Sequence, residues 1–183
     1  MIIAEPIAAW HTDHMYFSRL LDLQERQVDV FHAGEQPNYG LMLDIIYYLR
    51  HFSDQFHHPR EDVAFACLAK RSPGMELQLA RLIQEHRVIA HFGERLEQSL
   101  EQAAAGAFVA RADIEAVAAT YLVYYRSHIA REEKDVLPRA ASVLTPDDWE
   151  AVGAAAPAAQ DPLFGSAPEE RFRELRRQIA LEA

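Results

Sequence analysis

The sequence has few of the features that mark sheet-rich, disulfide-stabilised or membrane-spanning proteins. Only seven of its 183 residues are glycine, and Cys67 is its single cysteine. A lone cysteine cannot form an internal disulfide, so the fold needs no oxidising compartment. No stretch approaches the roughly 18 apolar residues of a transmembrane helix, and residues 1–10 lack the basic segment of a signal peptide. We therefore expect a cytoplasmic protein with no membrane partner.

Positive charge is also scarce, because the formal net charge is −10. No basic stripe is available to neutralise nucleic-acid phosphates, so nucleic acid is not an expected partner. Half of the residues are apolar, which excludes a disordered chain. The abundance of Ala, Leu, Glu, Gln and Arg favours helix over sheet. These properties predict one all-α domain.

Four long stretches have helical periodicity, and short Gly- and Pro-containing segments separate them. They cover residues 6–32, 41–70, 76–104 and 112 to beyond 136. Short connections between long helices predict an up-down-up-down four-helix bundle. Pro59 removes a backbone hydrogen bond inside the second helix, so we expect a kink or a loosened turn there. Pro138 is expected to bend or end the fourth helix.

Additional short helices are predicted in the C-terminal part of the chain. Thr145 followed by Pro146 is typical of a helix N-terminus and predicts a helix over 146–155. A last helix is expected over 168–181. We therefore predict a single domain over 1–183, with a core bundle at about 6–140 and a helical extension at 141–183. Whether the last helix forms a homodimer contact is left open.

Nine histidines are the most informative feature of the sequence. On a helix, residues four apart share a face, so a histidine followed four positions later by an acid can present both side chains to one metal ion. Chance predicts about one such pair in this composition. Three are present: His57/Glu61, His58/Asp62 and His128/Glu132.

The depth of the histidines in an antiparallel bundle is a sharper test. His14, His57, His86 and His128, one from each helix, lie at matching distances from the helix connections. The mismatches are about two or three residues, or about 3–5 Å along a helix. Imidazoles and carboxylates at one depth suit iron and other first-row metals, and two bridging carboxylates would make a dinuclear site. Burying such carboxylates without a cation would be costly.

Four segments of the sequence resemble the signature segments of the hemerythrin-like, HHE cation-binding family. They are Asp13-His14, residues 56–62 (FHHPRED), Glu85-His86 and residues 128–133 (HIAREE). The resemblance covers about residues 8–140. It implies two non-haem iron ions with a bridging oxo or hydroxo group. His14, His57, His86 and His128 would be terminal ligands, with Glu61 and Glu132 as the bridges.

The resemblance is incomplete on the third helix. Oxygen-carrying hemerythrins have two histidines four apart there, whereas Leu82 and Ala90 flank His86 at that spacing, and His91 is one residue too far. One iron would then lack a protein nitrogen. Two alternatives stay open: a shifted register that uses His58 and Asp62, and Glu133 in place of Glu132. His11 and His91 are expected outside the ligand set, and Tyr121 and Tyr125 are expected to be core aromatics.

Three functions are compatible with this set of residues. The first is binding or sensing of oxygen, nitric oxide, peroxide or iron itself. The second is a di-iron enzyme that acts on nitric oxide or peroxide, or that donates iron for iron–sulfur cluster repair. The third is a structural bundle with incidental histidines. The incomplete third-helix pair favours the first, with metal ions and a small diatomic or peroxide ligand as the partners.

Overall fold

The computed structural model describes residues 5–156 and 160–181. The prediction for the first ten residues therefore lies partly outside the described residues, as do the ends of the predicted single domain. The described part of the chain has helices and short connections and contains no strand. None of its helices is long and apolar enough to cross a bilayer. The prediction of an all-α protein is confirmed.

The long helical stretches agree closely with the sequence prediction. They are formed by α1 (Glu5–His32), by α2 (Tyr39–Tyr48) running on through a π-helical segment into α3 (His58–Arg71), by α4 (Glu76–Ala104), and by α5 (Arg111–Arg131) running on into α6 (Leu137–Val143). The N-terminus of α2 is fixed by the Asn38 side chain, which accepts a hydrogen bond from the Leu41 backbone N–H. The connections contain Gly34, Gly74 and Gly106, each with positive φ, a conformation that glycine adopts without strain.

Two π-helical segments interrupt the long stretches, π1 at Leu49–His57 and π2 at Glu132–Val136. Each is followed within two residues by a proline, Pro59 or Pro138. Proline has no N–H with which to continue the regular helical ladder. The residue before each proline makes a wide i→i−5 bond: His58 N–H donates to Ser53 O, and Leu137 N–H donates to Glu132 O. The loosened turn expected at Pro59 is thus a π-helical segment, and the fourth helix passes through Pro138 to Val143.

The C-terminal elements are α7 (Pro146–Ala154), a 3₁₀ turn (Glu170–Phe172) and α8 (Arg173–Leu181). Thr145 caps α7 as predicted. Its hydroxyl accepts from the Asp148 N–H, and the Asp148 carboxylate accepts from the Thr145 N–H, which is a capping box. α7 packs on α3, and α8 packs on α2. The C-terminal extension therefore covers the second long helical stretch from the outside.

Two apolar clusters fill the interior, and a polar layer lies between them. The first cluster includes Phe17 of α1 and Ile89 of α4. The second includes Trp10 of α1 and Leu82 of α4. Between these positions α1 carries His14 and α4 carries His86, both buried. The same alternation occurs in the other two long stretches, so the buried polar residues lie at one depth, sealed above and below by hydrocarbon.

Candidate metal centre

Five histidines converge on two buried glutamates in the polar layer. The imidazoles come from all four long stretches, and the carboxylates are those of Glu61 in α3 and Glu132 at the start of π2, neither of which is exposed. The histidines are His14, His57, His58, His86 and His128, all of them buried. Every residue that the sequence analysis proposed as a metal ligand lies in this cluster, together with His58.

The two glutamates stand between two groups of imidazoles. Glu61 Oε1 lies 3.4 Å from His14 Nε2 and 3.1 Å from His57 Nε2, while its Oε2 lies 3.4 Å from His86 Nε2. Glu132 has the same arrangement, with Oε2 at 3.4 Å from His14 Nε2 and Oε1 at 2.8 Å from His128 Nε2. Each carboxylate therefore presents one oxygen to either side.

These contacts define two potential metal-binding groups that share Glu61. One consists of His14, His57 and Glu61, and the other of His58, Glu61, His86 and His128. In each group the candidate ligand atoms lie within 4.8 Å of one another. Both groups are fully buried and contain only imidazole nitrogens and carboxylate oxygens, the donors that suit iron and other first-row divalent metals.

The structure brings the side chains of both His57 and His58 into the cluster, whereas the sequence suggested the two residues as alternatives. Adjacent residues on an α-helix point about 100° apart, but the π turn before His58 spreads more residues over each turn. His58 stacks on His86 with ring centroids 4.1 Å apart. It is the additional imidazole in the group that contains His86 and His128.

Outer carboxylates hold the Nδ1 side of the imidazoles. His57 Nδ1 donates to Asp13 at 2.9 Å, and His86 Nδ1 donates to Asp62 at 2.8 Å. The corresponding hydrogen bonds join His14 to Glu133 at 2.7 Å and His128 to Glu85 at 3.2 Å. Nδ1 of His58 lies 3.2 Å from Asp54 Oδ1, without the geometry of a hydrogen bond. Outer carboxylates of this kind fix the tautomer of metal-binding histidines and leave Nε2 to face the metal. His58 differs from the other four, because its Nε2 lies 3.0 Å from Ser53 Oγ.

The two alternatives for the carboxylates are placed differently. Asp62 is 43% exposed and holds His86, not His58. Glu133 is one-third exposed and contacts Nδ1 of His11 and Nδ1 of His14, on the outer side of the cluster.

The other residues singled out in the sequence lie away from the ligand set. His91 is exposed on α4, away from the cluster. Tyr121 and Tyr125 are buried core aromatics, and the Tyr125 hydroxyl lies 2.5 Å from Ser53 Oγ, which in turn lies 3.0 Å from His58 Nε2.

Protonation reflects the close packing of opposite charges. Burial lowers the pKa of His14, but its hydrogen bond to Glu133 and its proximity to Glu61 outweigh burial and raise that pKa to about 10. Burial would raise the pKa of Glu61, yet the surrounding imidazoles, with His57 foremost, hold it well below its usual range. Burial and the neighbouring His86 hold the pKa of His58 well below its ordinary value. The pKa values of His14 and Glu61 are thus shifted toward the ionised forms, whereas that of His58 is shifted toward the neutral form.

Comparison with known proteins agrees with this geometry. The model of the hemerythrin HHE cation-binding domain matches residues 5–140. The chain belongs to this family. The match covers most of the chain and includes every histidine and carboxylate of the cluster. No curated protein shows a significant match, and no solved structure does. Membership of a cation-binding family and a buried cluster of histidines and glutamates together identify a metal-binding domain.

Proposed function

We propose that this hemerythrin HHE domain holds two iron ions and binds or senses a small ligand such as oxygen, nitric oxide or peroxide. In the proposed centre His14 and His57 hold one ion, and His58, His86 and His128 hold the other. Glu61 and Glu132 bridge the two. The observation that carries the proposal is the placement of four imidazole Nε2 atoms, those of His14, His57, His86 and His128, against two completely buried carboxylates, with His58 beside them.

The cluster fits a metal pair because its inner atoms lack other partners. Both oxygens of Glu61 and both oxygens of Glu132 are buried without a hydrogen bond, and so are Nε2 of His86 and Nε2 of His128. A buried polar atom left unpaired costs about 1–3 kcal/mol, and more when it is charged. Two cations would satisfy all six atoms. They would also compensate the two negative charges that burial would otherwise disfavour.

The two groups differ in the number of nitrogens they provide. The group of His14 and His57 offers two imidazoles, and the other group offers three. An ion bound by fewer protein donors keeps more positions for water or an added ligand. When bound, a pair of iron ions supplies reversible redox chemistry and such open positions. We therefore place the binding of a small ligand on the side of His14 and His57.

The order of the apolar clusters supports an antiparallel bundle as the scaffold. Along α1 and α4 the chain passes from the Trp10 and Leu82 cluster to the Phe17 and Ile89 cluster. The second and fourth long stretches pass the clusters in the opposite order. α4 packs most extensively on α5, and α1 contacts both α2 and α5. We infer an up-down-up-down four-helix bundle that brings one segment of each helix to the metal layer.

Anaerobic reconstitution tests the proposed function. Metal-free protein that is loaded with ferrous iron and freed of excess should retain two irons per chain by elemental analysis. On exposure to air or peroxide it should develop charge-transfer absorption in the near ultraviolet. His32→Ala, which alters an exposed histidine paired with Glu115, is the matched control and should behave like the wild type. Retention of no iron would refute the proposal.

Binding of the metal should be strongly dependent on pH. Because the pKa of His14 is raised to about 10, its imidazole carries a proton in the metal-free protein throughout the neutral range, and the metal must displace this proton. Affinity should therefore fall as pH falls, by about tenfold per pH unit for each proton released. Competition with a chelator from about pH 6 to pH 8 measures the slope, with cobalt as the probe. A flat profile would contradict the raised pKa.

A further inference from the structure

A cavity of about 500 Å³ opens on the surface beside the proposed centre. It lies between α1 and the end of α5. His11, His14 and Asp22 line one wall, and Ile129 and Glu133 line the other. His14 is the inner end of this wall and is itself part of the buried cluster. The cavity therefore reaches from solvent to His14, which belongs to the group with two imidazoles.

A continuous series of metal-binding atoms leads from the mouth of this cavity to the interior. His11, which is 37% exposed, lies with its Nδ1 at 2.5 Å from Glu133 Oε2. The other Glu133 oxygen accepts from His14 Nδ1 at 2.7 Å. His14 Nε2 then lies 3.4 Å from both Glu61 and Glu132. The atoms joined at each step of this series are 3.4 Å apart or less.

We propose that His11 and Glu133 form a capture site through which a divalent cation enters the centre, an inference that rests on the proposed function. The site is needed because an ion bound by fully buried ligands must exchange its water for protein donors on the way in. An imidazole and a carboxylate at the mouth supply replacement ligands. Rotation of Glu133 and His14 then passes the ion to Glu61 and Glu132, with no change in oxidation state.

The charges around the cavity favour a cation over an anion. Glu133 at the mouth is acidic, and it balances the charge of His14 at 2.7 Å, while Asp22 is paired with Arg126. Arg19 also lines the cavity, but it directs its guanidinium to the backbone oxygen of Ile179 in α8 at 2.5 Å. The net charge of −10 adds a long-range attraction for cations. His11 lies outside both potential metal-binding groups, so in a His11 variant an effect on entry can be separated from an effect on affinity.

Stopped-flow binding of cobalt to the metal-free full chain tests the capture site. In His11→Ala the association rate should fall by about tenfold. The dissociation rate should fall by the same factor, because the capture site lies on the pathway in both directions. Affinity measured by chelator competition, and two ions per chain, should stay at the wild-type values. His32→Ala, which removes an exposed histidine from a comparable pair with Glu115, should bind at the wild-type rate.

Three results for His11→Ala would overturn the capture site. Unchanged rates would mean that ions enter elsewhere, and faster association and dissociation would mean that His11 only closes the cavity. Faster dissociation with unchanged association would make His11 a residue that holds the bound ion. A wild-type protein that binds no cobalt or iron would instead refute the proposed centre itself, and the two failures are therefore distinguishable.

Discussion

Replacing Glu61 with glutamine should abolish tight binding of both metal ions. Glu61 belongs to both potential metal-binding groups, and its two oxygens face opposite sides, Oε1 toward His14 and His57 and Oε2 toward His86. Glutamine keeps the size of the side chain but removes the negative charge and one acceptor oxygen. Affinity should fall by more than about a hundredfold, since the loss of an outer partner alone costs about 10–100-fold. Metal titration with chelator competition measures the effect.

Two controls show whether the loss at Glu61 is specific. Glu85→Gln alters an outer carboxylate that holds His128, so it should weaken binding by about 10–100-fold while keeping two ions per chain. Glu115→Gln alters the partner of the exposed His32 and should have no effect. If Glu61→Gln still bound two ions with wild-type affinity, Glu61 could not be a bridge.

Loading the centre with metal should stabilise the fold strongly. Each ion binds the folded chain and should have little affinity for the unfolded one, so free metal at about a thousand times its dissociation constant adds about 4 kcal/mol per site. For a chain of this size each kcal/mol shifts the melting temperature by about 2–4 °C. One occupied site should thus raise the melting temperature by roughly 8–16 °C. Calorimetry of metal-free and cobalt-loaded protein measures the shift.

The stabilisation should disappear when the metal is removed. A chelator should return the loaded protein to the melting temperature of the metal-free form, and Glu61→Gln should show little shift on addition of cobalt. His32→Ala should retain the full shift. A melting temperature that did not respond to cobalt or chelator would favour a structural bundle with incidental histidines.

The helices and the inner ligand candidates could be predicted because they depend on local patterns. α1 and α4 begin and end within one residue of the predicted positions, since apolar periodicity and glycine-containing breaks define them. Histidine–glutamate pairs four apart, such as His57/Glu61 and His128/Glu132, share a helix face in any helix. The common depth of the four histidines in the bundle could be predicted from the lengths of the helices alone.

The inclusion of His58 could not be predicted because it depends on a change of helix type. In a regular α-helix His57 and His58 point about 100° apart, which made them appear to be alternatives. The π1 segment before Pro59 alters this spacing, and both side chains turn inward. Pro59 predicted a disturbance of the helix at this position, but the amino-acid sequence does not distinguish a π turn from a kink.

The outer carboxylates escaped prediction because they act between helices. Asp13 precedes His14 but holds His57, and Glu85 precedes His86 but holds His128. Likewise Asp62 follows Glu61 yet holds His86. The acid next to an inner ligand thus serves a histidine of a neighbouring helix, and only the packing of the helices reveals which one. The adjacent pairs in the sequence were the available signal.

Anomalous diffraction from crystals of the iron-loaded protein tests the central claim most directly. Data collected on either side of the iron absorption edge should show two peaks, with the Glu61 and Glu132 carboxylates between them. His14 and His57 should contact one peak, and His58, His86 and His128 the other. A single peak, or two peaks outside this ring of side chains, would contradict the proposed centre.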